Sequence, residues 1–310
     1  MHRCKCAMRV LRLFPWLALA TLLMQGFGVA AAPRPRLVTS FFPLYCWAGN
    51  VAGTNAVVEN LLPPRAEPHD YAFTIGDARK LAVADLIIVN GLSLEGWLPK
   101  FLKGSPAARD RVVSVSAGLE AQFISGELHH GHDHAEHDES AHANPHLWLD
   151  PQLAAHGVSN ILVALQRVDP AHAANYSANA HAYLATLQKL DADIRLSFAS
   201  VTNRALVTYH DAFPYFARRY GLEIAGVVEL VPEVNPTPKY LSRLRRTMRE
   251  RNLRVLFVAT GGNTRLARRL AEDLHVQLAE LDTLESGPLH PSAYEERLRH
   301  NAGVLQKYLK

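Results

Sequence analysis

Short runs of apolar residues alternate with amphipathic segments along most of this chain. Residues 86–89 are all Leu, Ile or Val and are followed by Asn90 and Gly91, which is typical of a strand buried on both faces of a parallel sheet. Similar runs predict strands over 36–42, 56–62, 86–90, 112–115, 205–209, 223–230, 255–258 and 277–281. Because strands that alternate with helices pair in parallel, the pattern predicts an α/β protein.

Residues that start and stop helices locate the segments between these strands. Thr74, with Asp77 three positions later, forms a capping box, and Asp150 is followed by a Pro at the first helical position. Gly221 is expected to end the helix that begins at Phe213. Further helices are predicted over 45–51, 97–102, 239–251, 264–274 and 293–309.

The longest predicted helix covers residues 171–199, which contain neither Gly nor Pro. A helix of 29 residues would extend for about 43 Å and would act as a rigid connector. We therefore predict two α/β lobes with parallel sheets, joined by one long connecting helix. The expected division is a signal peptide over 1–31, an N-terminal lobe over 32–165, a linker helix over 166–203 and a C-terminal lobe over 204–310.

The first 31 residues have the pattern of a cleaved secretory signal peptide. Four basic residues precede the apolar run 13–24, and small residues follow at 29–32. A permanent membrane anchor is the less favoured alternative, because this run is shorter than the ~20 residues that span a bilayer. Without residues 1–31 the chain has 29 basic and 29 acidic residues, so a nucleic-acid partner is not expected.

Cysteine and arginine each add one expectation. Cys46 is the one thiol beyond residue 31, so no internal disulfide is expected, and its aromatic neighbours indicate a small buried residue.

The helix predicted over 239–251 has several arginines on its polar side. We interpret them as a solvated face, with contact to a partner as the alternative; they are Arg243, Arg245, Arg246 and Arg249.

The segment 129–142 combines histidines with acidic residues and is predicted to be a loop, because it is too polar to bury. Imidazole and carboxylate groups together favour divalent first-row metals, zinc above all. A linker without a binding role is the alternative. The six histidines are His129, His130, His132, His134, His137 and His142.

Four other residues are candidate metal ligands. His69 lies in the loop after the second predicted strand, His146 lies before a helix, and His210 and Asp282 follow strands of the second lobe. Ligands of open α/β sheets bind at the carboxyl ends of the strands, so these side chains would meet between the lobes. Three imidazoles and one carboxylate suit zinc. Glu67 competes with Asp282 for the fourth position.

Several motifs resemble those of the periplasmic zinc and manganese solute-binding proteins of ABC importers, the ZnuA/TroA-like family. The resemblance extends over nearly the whole chain after the signal peptide. The motifs are Glu67-Pro-His-Asp-Tyr71, Asp85-Leu-Ile-Ile-Val-Asn-Gly-Leu92, Asn144-Pro-His-Leu-Trp-Leu-Asp-Pro151, Tyr209-His-Asp-Ala-Phe-Pro-Tyr-Phe216 and Leu281-Asp-Thr-Leu284.

The resemblance implies a two-lobe receptor in the periplasm that captures Zn(II) as its transported ligand and passes it to an ABC permease in the inner membrane. It implies His69, His146 and His210 as ligands, with Asp282 or a water in the fourth position. The chain differs from the family at Asn144, where Asp is common, and at Pro68, where some members have Glu. A monomer without enzymatic activity is expected.

Three alternatives remain open on the sequence. A Mn(II) or Fe(II) receptor fits the same ligand types, although the histidine tract favours zinc. A zinc hydrolase would need an open coordination position and a general base, for which Glu67 or Glu233 would have to serve outside any H-E-x-x-H motif. A surface protein that buffers metal without a permease is the third.

Overall fold

The computed structural model describes residues 33–124, 143–229, 236–261 and 264–309, together with His2. The chain divides into two compact units, Met1–Pro33 and Arg34–Lys310, and nearly all described residues belong to the second. The predicted signal peptide and the histidine tract 129–142 lie outside the described residues. In the described part of the chain, every helix is too short or too polar to cross a membrane.

The first sheet has four parallel strands in the order β2-β1-β3-β4. They are β1 (Arg36–Thr39), β2 (Val57–Asn60), β3 (Leu86–Val89) and β4 (Val112–Ser114). Three helices connect successive strands, namely α1 (Phe42–Ala52), α2 (Ile75–Ala82) and α3 (Leu98–Gly104). The strand order reverses between β1 and β3, which places a crevice at the carboxyl ends of these strands.

Two helices then lead to a second sheet of the same design. They are α4 (Pro151–Val168) and α5 (Ala173–Ser197). The second sheet has the order β6-β5-β7-β8, with β5 (Ala205–His210), β6 (Glu223–Glu229), β7 (Val255–Ala259) and β8 (Gln277–Leu281). Its helices are α6 (Pro214–Tyr220), α7 (Pro238–Glu250), α8 (Thr264–Leu274) and the last helix, α9 (Ala293–Tyr308).

The capping residues act as the sequence predicts. The Thr74 hydroxyl accepts a hydrogen bond from the Asp77 amide at 3.2 Å, and the Asp77 carboxylate accepts one from the Thr74 amide at 2.9 Å. Asp150 accepts from the Gln152 amide at 2.8 Å, which caps α4. Gly221 ends α6 in the left-handed conformation, with a φ of 65°.

A continuous cluster of buried apolar side chains joins the two sheets. It extends from β1 and β3 through α1, α4 and α5 to α9 and one face of the second sheet. Trp47 of α1 packs edge-to-face on Tyr294 of α9, with 5.6 Å between the ring centroids. A smaller cluster lies between the opposite face of the second sheet and the helices α7 and α8.

The predicted fold class, two α/β lobes with parallel sheets and a long helix between them, is confirmed. The connecting helix α5 is shorter than predicted, because residues 170–172 form a separate 3-10 turn before it. Its 25 residues extend for about 37 Å. Cys46 is buried as expected; its thiol lies 3.3 Å from the carbonyl oxygen of His290, and burial raises its pKa to about 12. The lobe boundaries stay a prediction.

Candidate metal centre

Three of the predicted ligands and one glutamate converge between the two sheets. His69 lies in the loop between β2 and α2, and His146 lies just before α4. His210 is the last residue of β5, and Glu285 lies in the loop between β8 and α9. One nitrogen or oxygen atom from each of the four side chains lies within 4.8 Å of those of the others.

The distances within this group match the edges of a small tetrahedron. Nε2 of His146 lies 3.2 Å from Nε2 of His69 and 3.1 Å from Nε2 of His210. Oε1 of Glu285 lies 3.1 Å from Nε2 of both His69 and His146, and 3.8 Å from Nε2 of His210. A tetrahedral zinc with bonds of about 2.0–2.1 Å has ligand-to-ligand edges of about 3.3–3.4 Å. These five of the six distances between the donors are therefore close to the spacing that one such ion requires.

His146 is held in place by Asn144. Oδ1 of Asn144 lies 2.9 Å from Nδ1 of His146 and accepts a hydrogen bond from its backbone amide at 3.0 Å. Because an amide oxygen can only accept, Nδ1 must carry the proton, and the lone pair of Nε2 then faces the other ligands. Asn144 also donates its side-chain amide to the carbonyl and carboxylate oxygens of Asp211, next to His210.

The segment around His146 is attached to both lobes. The Asn90 side chain donates to the carbonyl of Pro145 at 3.0 Å from the first lobe. From the second lobe, the Tyr215 hydroxyl donates to the carbonyl of Asn144 at 2.8 Å. The Trp148 indole donates to the carbonyl of Thr283 at 2.8 Å. Hydrogen bonds from both lobes therefore hold this histidine in position.

The histidines differ in how readily they accept a proton. His146 is 2% exposed, and burial lowers its pKa to about 3, so it stays neutral. Burial also lowers the pKa of His210. Burial is also the largest single effect on His69 and opposes its protonation, but the hydrogen bond to Glu285 and the charges of Glu285, Asp70 and Glu67 together outweigh burial and raise its pKa.

Glu285 provides the negative charge of the site. Its Oε2 accepts a hydrogen bond from the Thr283 hydroxyl at 2.8 Å, which leaves Oε1 directed at the histidines. Burial opposes its ionisation, but hydrogen bonds to His146 and His69 hold its pKa well below the usual range. Glu67, the competing candidate, is outside the four-residue group. Burial and the nearby Glu285 carboxylate raise the pKa of Glu67 to about 7.

Asp282 does not occupy the position expected from the sequence. Its carboxylate forms a salt bridge with Arg297 of α9 and accepts the Leu284 amide at 2.8 Å. Its backbone is bonded on both sides to the Asn301 side chain, with distances of 2.6 and 2.8 Å. Asp282 therefore anchors the loop to α9, and Glu285, three residues later, faces the histidines. Glu285 was not among the ligands predicted from the sequence, although it lies in the same loop after β8 as Asp282.

Comparisons with known proteins point the same way. The family model described as "ZnuA: Zinc-uptake complex component A periplasmic" matches residues 37–308. The chain is 32% identical over 261 residues to the high-affinity zinc uptake system protein ZnuA of Bacillus subtilis (strain 168), which covers 84% of this chain and 82% of that protein. It is 34% identical over 265 residues to the iron-binding protein YfeA of Yersinia pestis, with 83% and 81% covered.

A further curated relative and a solved structure are also similar to this chain. The chain is 27% identical to the zinc-binding protein AdcA of Streptococcus pyogenes, and it spans 53% of that longer protein. Among solved structures, a Zn(II)-bound variant of AdcAII from Streptococcus pneumoniae is similar, with a TM-score of 0.76 and 28% identity. That similarity covers 89% of this chain and 99% of the other, so it includes both sheets and the region between them.

Proposed function

The chain belongs to the ZnuA family of periplasmic zinc-uptake components, and we propose that it is the zinc-binding receptor of an ABC-type uptake system. In this role it captures Zn(II) with high affinity in the cleft between its lobes and delivers the ion to a membrane permease. The bound ion is the transported substrate. His69, His146, His210 and Glu285 are its proposed ligands.

One observation carries the proposal: three imidazole nitrogens and one carboxylate oxygen lie within 4.8 Å of one another, and five of their six spacings are 3.1–3.8 Å. Three of the four side chains come from segments directly after strands or in loops at strand ends, which is where open α/β sheets bind ligands. His146 and Glu285 are almost fully buried, and burial of such groups is costly unless they are paired or bind a metal.

The donor set favours zinc over the other ions that relatives bind. Zn(II) prefers four nitrogen, sulfur or oxygen ligands in a tetrahedron, whereas Mn(II) favours more oxygen ligands in an octahedron. The close spacing of the donors supports the smaller, four-coordinate arrangement. A Mn(II) or Fe(II) receptor is the second candidate, and the 34% identity to a protein named iron-binding is the observation that favours it.

We propose a receptor rather than a zinc hydrolase. A catalytic zinc site keeps one coordination position open for water or substrate, and here four protein groups fill the tetrahedron. The shared apolar cluster between the lobes also supports this role, because a large apolar interface limits the motion of one lobe against the other.

We also propose how the chain is exported, that it acts alone, and what the histidine tract 129–142 does. Residues 1–31 direct the chain to the periplasm and are removed, and the receptor acts as a monomer. Residues 129–142 bind additional zinc ions weakly and raise their concentration beside the cleft. If deletion of 129–142 changed neither the number of weakly bound zinc ions nor zinc uptake at low supply, the proposed role of the tract would be wrong.

A zinc titration of residues 32–310 in competition with a chelator tests the proposal. The wild type is expected to bind one zinc ion tightly, and the double variant His69→Ala/His210→Ala is expected to lose that ion. The control His181→Ala/His300→Ala removes two exposed histidines and should keep it. If the ligand variant bound as tightly as the control, zinc would bind elsewhere. Manganese in place of zinc as the tightest-bound ion would favour the second candidate.

A further inference from the structure

A second feature of the chain has no part in metal binding: a dense group of arginines on the outer helices of the second lobe. Residues 239–269 contain ten basic side chains and one acidic side chain, Glu250. The rest of the chain after residue 31 has 19 basic and 28 acidic residues. The positive charge is therefore concentrated in one short stretch, although the balance of the whole is neutral.

The fold places these arginines on a single surface. The buried side chains Leu244 and Met248 of α7 and Ala267 and Leu270 of α8 pack on the same face of the second sheet. Arg245 of α7 donates to the main-chain oxygen of Asp273 in the last turn of α8 at 2.7 Å, so the two helices are neighbours on this face. The arginine-rich face consists of the exposed residues Arg243, Arg245, Arg246, Arg249, Arg265, Arg268 and Arg269.

Local acidic groups compensate this charge only in part. Glu250 lies 3.9 Å from Arg246, and both side chains are about 70% exposed, so this pair is weak. Glu272 and Asp273 are exposed in the last part of α8, near one end of the face. Seven guanidinium groups and three carboxylates leave a positive surface, which attracts a negatively charged partner.

The composition of the face selects the kind of partner. Guanidinium groups form bidentate hydrogen bonds with phosphate and carboxylate, which the ammonium group of Lys does not. A stable interface with a protein has an apolar or aromatic centre. Among the described residues of α7 and α8, Leu266 is the one large apolar side chain that is exposed, at 41%. Charge without an apolar centre fits a layer of phosphates better than a folded protein.

We propose that the arginine-rich face binds the surface of a bilayer that contains anionic phospholipids, by contacts of its guanidinium groups with lipid phosphates. The face covers the outer side of the second sheet, whereas the four proposed ligands lie at strand ends and in loops between the sheets. Lipid binding is therefore independent of the metal site. It would keep a zinc receptor close to the membrane that holds its permease.

The test measures binding of residues 32–310 to vesicles of phosphatidylglycerol and phosphatidylcholine, and to vesicles of phosphatidylcholine alone. The variant Arg246→Gln/Arg249→Gln/Arg269→Gln removes three charges from the face. The control Lys80→Gln/Lys100→Gln/Lys103→Gln removes three charges from exposed lysines of the first lobe. Zinc affinity should equal that of the wild type in both variants, which separates this proposal from the proposed zinc site.

The wild type should bind the anionic vesicles at least about a hundredfold more tightly than the neutral ones at about 0.1 M salt, and higher salt should weaken this binding. The affinity of the arginine variant for the anionic vesicles should fall by about a hundredfold, since each of the three basic groups contributes roughly fivefold near such a surface, and the affinity of the lysine control should fall much less. Equal binding of the wild type to both vesicles would overturn the proposal and leave an acidic protein as the partner. Equal losses in the two variants would also overturn it.

Discussion

The side-chain oxygen of Asn144 lies 2.9 Å from Nδ1 of His146, and the amide of the same side chain donates to Asp211 beside His210. One residue thus sets the tautomer of the most buried histidine and links it to the segment that carries another. This arrangement explains how a neutral imidazole with its lone pair directed inward is ready before an ion enters.

Substitution of Asn144 should weaken zinc binding although the residue does not face the ion. In Asn144→Ala, Nδ1 of His146 loses its acceptor, and zinc affinity should fall by roughly 10–100-fold. Asn160→Ala is the control, since this asparagine of α4 bonds to the carbonyls of Val115 and Ala117 and is outside the four-residue group. Chelator competition measures both variants. Affinity within twofold of the wild type in Asn144→Ala would contradict the positioning role.

The two carboxylates of the loop after β8 should respond in opposite ways. Glu285→Gln keeps the side-chain shape but removes the charge, and its zinc affinity should fall by more than the ~10–100-fold that loss of an outer partner costs. Asp282→Asn should keep zinc affinity and lose about 1–2 kcal/mol of unfolding free energy, because its pair with Arg297 is partly buried. Zinc titration and denaturant unfolding give the two quantities. A loss of zinc affinity confined to Asp282→Asn would reverse the assignment.

Zinc affinity should fall as the pH falls, and His69 is the main reason. The ion binds the neutral imidazole, so a proton on His69 must leave first, and its pKa is raised by Glu285. Affinity should therefore be highest well above the raised pKa and should decrease by up to about tenfold per pH unit below it. His146, with a pKa of about 3, contributes nothing to this dependence at neutral pH.

Calorimetry in buffers of different ionisation enthalpy measures the protons released on binding. We expect about one proton at pH 6 and fewer at pH 9. In His69→Ala, the residual binding should lose most of this pH dependence. A wild-type affinity that is equal at the two pH values would rule out competition between the proton and the ion.

Two glycines within helices should respond in opposite ways to alanine. A Cβ atom on Gly157 of α4 would lie 2.9 Å from the Trp47 ring and 3.0 Å from Val115, so Gly157→Ala should cost about 1–3 kcal/mol. A Cβ on Gly303 of α9 meets nothing within 4 Å, so Gly303→Ala should stabilise by about 0.5–1 kcal/mol. Thermal or denaturant unfolding compares them. Equal effects would show that helix propensity, and not the contact with Trp47, decides at Gly157.

The pattern of apolar and polar residues was sufficient to predict the fold class, because the helix and strand signals in the sequence agree with the elements in the structure. The capping box at Thr74 and the left-handed Gly221 are examples in which one or two residues determine where a helix begins or ends. The ends of the strands were predicted less accurately. The apolar run 36–42 was predicted as one strand, but β1 ends at Thr39 and α1 begins at Phe42, since an apolar run has no period that separates strand from buried helix.

The sequence predicts only those candidate ligands whose positions next to strand ends or helix starts can be recognised along the chain. His69, His146 and His210 were predicted as ligands because each lies beside a strand end or a helix start, and the structure brings these three side chains together. The choice between Asp282 and Glu285 depends on a partner far along the chain, Arg297 of α9, which takes the Asp282 carboxylate. No local pattern contains that information, since it arises only when α9 packs against the second sheet.

A crystal structure of residues 32–310 with zinc, with anomalous data at the zinc edge, would test the four proposed ligands by direct observation of the ion. We expect one strong peak at about 2.0–2.2 Å from Nε2 of His69, His146 and His210 and from Oε1 of Glu285. Asp282 should remain paired with Arg297. A zinc ion bound by Asp282 in place of Glu285, or zinc found only among the histidines of residues 129–142, would contradict this assignment.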